Sequence, residues 1–216
     1  MKYKFLRSGL KSDSGNLSWK IGKWVHQDGE LDICHNGLHC SRYPDQAFSF
    51  VQGEILALVE TKGKSIIQDD KECWSDMRVV KAYEWTKKDS VALAIYAAEL
   101  VIDIFEKEYP HDNRPRKAIE AAKKWLRQPT EKNRLAAGAA GAAAWAAGAA
   151  ARAAWAAGDA AWAAAWAAGD AAWAAGDAAW AAARAAWAAG DAIVKKIRTW
   201  MLRRVKTLKP YREGKV

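Results

Sequence analysis

Cysteine is scarce in this chain. Three cysteines in 216 residues cannot all pair internally, so a disulfide scaffold is excluded and a reducing cytoplasm is the expected compartment. Five prolines, and fifteen glycines without a three-residue period, exclude a collagen-like chain. Long apolar runs are missing too. The longest uncharged stretch, 135–151, is almost all Ala and Gly, which enter lipid weakly. Arg152, Asp159, Asp170 and Asp177 follow too closely for a membrane span. Met1–Arg7 mixes charged and aromatic residues and lacks the apolar centre of a secretory signal. Acidic residues are in deficit: 25 Asp and Glu against 34 Lys and Arg leave a net charge of +9. The excess is local, because residues 192–216 hold nine basic groups and one acidic group. A cationic tail follows a nearly neutral body, and an anionic partner would meet it there.

What remains is apolar in an unusual way. Hydrophobic residues make up 51% of the chain, yet mean hydropathy is −0.31. The apolar share is mostly alanine, with 13 Trp supplying the bulk. The expected fold is α+β: a small β-rich domain over 1–87, then an Ala/Trp-rich antiparallel helical bundle over 88–216. In the first part, strands are expected over Tyr3–Arg7, Leu17–Val25, Leu31–Cys34, Ile55–Thr61, Ser65–Gln68 and Arg78–Trp85, between Gly, Asp and Asn punctuation. Asn36-Gly37 has the composition of a two-residue hairpin turn, where both central residues need positive φ. Pro44 and Asp45–Val51 suggest a short helix.

In the second part, Asp89 is the expected cap of one helix running to Tyr109, where Pro110 stops it. Its apolar face would hold Val91, Leu93, Ile95, Leu100, Val101, Ile104 and Phe105. Pro115 suits the first turn of another helix, burying Ile119, Ala122, Trp125 and Leu126, with a boundary at Pro129-Thr130. Then comes a repeat. Trp145, Trp155, Trp162, Trp166, Trp173, Trp180 and Trp187 are spaced 10, 7, 4, 7, 7 and 7 residues apart in alanine. At about 100° per residue the last six stay on one stripe. Residues 131–208 as a single helix would measure roughly 115 Å, against about 45 Å for a compact protein of this size. The repeat is therefore expected to fold back, with breaks near Gly138–Gly141 and at Gly158-Asp159.

Two resemblances follow from these residues. Leu93-Ala94-Ile95-Tyr96-Ala97-Ala98-Glu99, Asp112 through Ala122, Trp125-Leu126 and the Ala-rich helices resemble a helical family of immunity proteins from bacterial polymorphic toxin systems, over roughly 88–200. That resemblance implies binding and neutralisation. Asp32 through Cys40, with Pro44-Asp45-Gln46-Ala47-Phe48, is similar to a small uncharacterised domain of phage and bacterial proteins. A fainter similarity to the ADP-ribosyltransferase fold lies in the order Gly37–Ser41, Gln46–Phe50, Glu54–Val59. There Arg7 and Ser8 would be the first-strand pair, with no glutamate motif in view.

Several residues are candidates for chemistry. Cys34, His35, His39 and Cys40 suggest zinc, but a two-residue turn would set Cys34 and His39 on one face and His35 and Cys40 on the other. Hairpin residues are the simpler reading, and no metal is expected; Cys34 and His39 remain weak candidates. A Cys34 thiolate activated by His39 lacks an orienting third group. Arg114 and Arg116 flank a helix start and could hold a small anion, or merely solvate a loop. Trp155, Trp166, Trp173, Trp180 and Trp187, with Asp159, Asp170, Asp177 and Arg184, form either a packed seam or a partner-binding face. Lys195, Lys196, Arg198, Arg203, Arg204 and Lys206 form the polar side of an amphipathic tail helix, open to nucleic acid or to water. No cofactor motif is present, so none is expected. The expected role is a non-enzymatic binding protein that sequesters a protein or a small anionic or nucleotide ligand, with self-association through the Ala/Trp helices. An enzyme acting on nucleotides or NAD, and a nucleic-acid accessory protein, are the alternatives.

Overall fold

A computed structural model of the chain describes residues 1–14, 17–33, 35–51, 53–138 and 191–212, with the side chains of Glu108 and Asp191 left aside. The fold is α+β, with an antiparallel sheet in the N-terminal part and helices after it. The chain divides into two compact units, Met1–Trp85 with Met201–Val216, and Thr86–Trp200.

In the first unit, β1 (Lys2–Leu6) pairs with β4 (Ile55–Ile67), and β4 pairs along its length with β5 (Glu72–Glu84). β5 is the spine, because its other edge is covered by three separate segments. Residues Glu72–Trp74 take β3 (Leu38–Cys40), and Asp76–Arg78 take β2 (Trp24–His26). The third is the C-terminal segment, where Lys209 O accepts from Glu84 N and Tyr211 N donates to Ala82 O, each at 2.9 Å. Beyond β3, Ser41 bridges Tyr3 of β1 through two backbone bonds of 2.8 and 2.9 Å. The pairings thus run β1–β4–β5–β3 and return to β1. The interior of this ring holds Leu6, Leu38, Ile55, Val59, Met77 and Val79. Outside β1, α1 (Pro44–Phe50) sets Phe48 against Phe5 and Trp85, with ring centroids 4.9–5.6 Å apart.

Several expectations change here. Ile55–Thr61 and Ser65–Gln68 are one strand, because a bulge between Lys62 and Ser65 absorbs Gly63 at φ +80° and Lys64, whose N–H bonds Ser75 Oγ at 3.0 Å. Leu17–Val25 yields only Trp24–His26, since a turn with Gly22 at φ +79° interrupts it. The described part of the expected strand Leu31–Cys34, residues 31–33, is not a strand. Asp32 and Asn36 instead exchange backbone bonds of 2.8 Å across a tight loop. The Asn36-Gly37 hairpin turn is therefore overturned. The Asn36 side chain is engaged elsewhere, donating to Asp28 O and Glu30 O and accepting from Gln27 Nε2. Gly37, at φ +140°, passes where a Cβ would lie 2.1 Å from Cys73 Sγ. His39 stands opposite Cys73 of β5, not Cys34; Cys34 lies outside the described residues.

In the second unit, α2 (Lys87–Glu99) is capped by Thr86, not by Asp89. Asp89 is the third helical residue and completes a capping box with Thr86. The expected single helix is broken at Leu100-Val101, and α3 (Ile102–Glu108) resumes after the break. The apolar stripe survives it: Val91, Ile95, Ala98, Ile102 and Phe105 pack with Ala118, Ile119 and Ala122 of α4 (Arg114–Arg127). Ile104, expected on that stripe, is 47% exposed. Residues 131–138 are helical. The C-terminal helix Asp191–Val205 buries Ile193, Ile197, Met201 and Val205 at four-residue spacing. Among the described residues no helix is long and apolar enough to cross a membrane.

Candidate functional site

A cleft of about 650 Å³ opens in the first unit between β1, residues 12–14 and 17–19, the segment entering β3, and the end of α1. Such a volume suits a small-molecule ligand. Lys4 lies on its wall. Strand alternation sets Lys4 on the same face as Leu6, so it points with the interior of the ring rather than to water. Its Nζ donates to His39 O at 2.8 Å, stopping an edge carbonyl of β3, and stands 5.7 Å from the Trp19 ring centroid. No carboxylate lies within ion-pair distance of it among the described residues. An ammonium carries three donors, and one is used. Burial pulls the Lys4 pKa down to about 8, against smaller upward pulls from Cys40 and Asp13.

The neighbouring groups tune one another. His39 is held below the usual imidazole range by burial and by the positive charges of Lys4 and Lys71, while a hydrogen bond with the Gly37 backbone opposes this. The Cys40 thiol is pushed up to about 12, chiefly by burial, so at neutral pH it is a protonated core side chain and not a nucleophile. Asp13 is the carboxylate on this wall, and Arg7 Nε engages it at 2.7 Å. Trp19 anchors the same loop by donating to Ser12 Oγ at 2.9 Å. Among the described residues no group of three or more His, Cys, Asp or Glu side chains could hold a metal ion.

Sequence reasoning did not single out Lys4, Trp19 or Asn36 as site residues. The signal for Lys4 was present: a lysine two positions before Leu6, on the strand face that the alternation assigns to the core. Of the residues that were singled out, Arg114 forms a two-bond pair with Asp112, at 2.8 and 2.9 Å. Arg116 binds Glu106, at 2.6 and 2.7 Å, and Asp103 at 3.3 Å. An anion at the start of α4 would have to displace these carboxylates. On the C-terminal helix, Lys195, Lys196, Arg203 and Lys206 are exposed, and Arg198 and Arg204 are partly buried. Trp155, Asp159, Trp166, Asp170, Trp173, Asp177, Trp180, Arg184 and Trp187 lie outside the described residues. At the end of β1, Ser8 donates to Glu54 from both its backbone and its hydroxyl.

An all-antiparallel ring with one helix on its flank and an open cleft defines a small β-rich domain. Residues 1–89 match a family described as a domain of unknown function (DUF7666). No curated protein and no solved structure matches the chain.

Proposed function

We propose that this chain is a non-enzymatic binding protein that captures a ligand in the cleft of its β unit and keeps it from acting elsewhere, in the manner of an immunity or anti-defence protein of a bacterium or phage. The cleft carries this reading. It offers a cationic donor and hydrogen-bonding groups, and among the described residues no thiol or hydroxyl stands beside an activating base. The Cys40 thiol is protonated, and His39 is engaged with the backbone at its own strand. The immunity-like motifs of residues 88–200 point the same way, toward binding and neutralisation in the cytoplasm. The test is incubation of the full chain with a small-molecule extract, rapid desalting and mass spectrometry. One unaltered compound retained per chain supports capture. Conversion of a compound without retention overturns it, and turnover of labelled NAD in particular would favour the nucleotide- or NAD-acting alternative.

A second reading has an observation of its own. The exposed Lys195, Lys196, Arg203 and Lys206 give the C-terminal helix a cationic outer face, and nucleic acid is the natural partner of such a surface. It requires an affinity that falls steeply with salt. A weak, salt-insensitive shift on DNA and RNA removes it.

A further inference from the structure

We infer that Lys4 is the anion anchor of the cleft: its ammonium binds a phosphate or carboxylate group carried by the captured ligand. This rests on the capture reading above and adds the chemical class of the ligand. Three observations lead to it. The Lys4 ammonium uses one donor of three, on His39 O, and the described residues supply no carboxylate partner. A half-buried cation without a counter-ion is disfavoured, and folds ordinarily avoid it by pairing or by neutralisation. Asp13, the one acid on the wall among the described residues, is engaged by Arg7, which leaves the local balance positive. Open volume beside the cation lets the missing acceptor arrive from outside, and the Trp19 ring, its centroid 5.7 Å from the ammonium, shares the same wall.

The groups that face Lys4 fix how binding depends on pH. They are His39 and Cys40 on β3, Asp13 on the loop after β1, Tyr3 beside it on β1, and His35 and Lys71 farther along the wall. Free Lys4 loses its proton near pH 8. A bound anion holds the proton on, so binding above that pH takes up a proton. Affinity is then full below about pH 8 and falls by up to roughly tenfold per pH unit above it.

The experiment is an NMR titration of the lysine Cε resonances in the full chain, alone and with inorganic pyrophosphate or succinate. The two probes separate a phosphate ligand from a carboxylate one. The expected result is that one probe raises the Lys4 midpoint by about one unit or more, while exposed Lys20 and Lys87 stay in place. A Lys4 midpoint that moves no more than theirs, with both probes, overturns the proposal. Lys4→Met is expected to weaken the effective probe about tenfold or more, and Lys4→Arg to retain it; undiminished binding by Lys4→Met also overturns the proposal. Retention of a neutral compound in the cleft with a stationary Lys4 midpoint would end the anion assignment while leaving capture intact. The wild-type titration reads the same outcome should a variant fail to fold.

Discussion

Glu72 is a buried carboxylate whose two oxygens accept from three donors on different segments. Arg42 Nε reaches it at 3.0 Å, Trp74 Nε1 at 2.7 Å, and the Lys2 ammonium closes the set. Burial alone would push its pKa up, but the bonds from Lys2, Trp74 and Arg42 outweigh burial and hold it below the usual carboxylate range. Glu72→Ala is expected to cost about 2 kcal/mol in a urea unfolding series, because the indole N–H loses a buried acceptor while Lys2 and Arg42 turn to water. The sign with pH is fixed by the direction of the shift. The contribution is complete above the unfolded-state pKa and drains away as pH falls through the lower folded value. Lys4 behaves oppositely. The unfolded chain keeps the lysine proton over the window from about 8 to the ordinary value of 10.5, where the folded chain has released it. Wild-type stability should therefore gain across that window. Lys4→Met should unfold at the same or a higher urea concentration at neutral pH, by up to about 2 kcal/mol. A clear loss of stability would mean that the bond to His39 O, and not a ligand, is why lysine stands there.

At the scale of elements, backbone geometry decides more than hydrophobic pattern. Gly37 cannot carry a side chain: φ is +140°, and a Cβ would meet Cys73 Sγ at 2.1 Å and Leu31 at 3.2 Å. Gly37→Ala is expected to destabilise the β unit by about 3 kcal/mol or more. Adding Cys73→Ala should recover part of that loss, namely the clash and not the backbone strain. Thr86→Ala, which opens the capping box of α2, should cost about 1 kcal/mol in the same assay. These positions also explain what the sequence did and did not disclose. β1, α1 and α4 were legible because period-two and period-3.6 patterns and a leading proline marked them. The full length of β5 was not, since Trp74 and Ser75 reverse the alternation that Cys73, Met77 and Val79 would otherwise mark, and only the paired structure reveals why an acid can be buried at Glu72. Asn36-Gly37 misled for a related reason. Its composition suits a tight hairpin, but the Asn36 amide spends its bonds on Gln27, Asp28 and Glu30, so the turn forms at Asp32–Asn36 instead.

For the molecule as a whole, the first unit is made of residues from both ends of the chain. Lys209–Tyr211 line the last stretch of β5, and Tyr211 packs on the core of the ring. Deletion from Lys209 onward should lower the thermal midpoint of the β unit by about 5 °C or more, measured by near-ultraviolet circular dichroism. The fold class was readable from composition and periodicity. The cleft was not, because it depends on β3 closing the ring onto β1 and so placing a strand lysine beside a loop tryptophan. The central claim is that this cleft takes up a ligand and holds it unchanged. Native mass spectrometry of the full chain after exposure to a small-molecule extract is the test, with Ser14→Trp, which adds bulk to the cleft wall, run alongside. One unaltered compound per wild-type chain, and none on Ser14→Trp, is the expected result. Equal retention by both, or chemical change without retention, would contradict it.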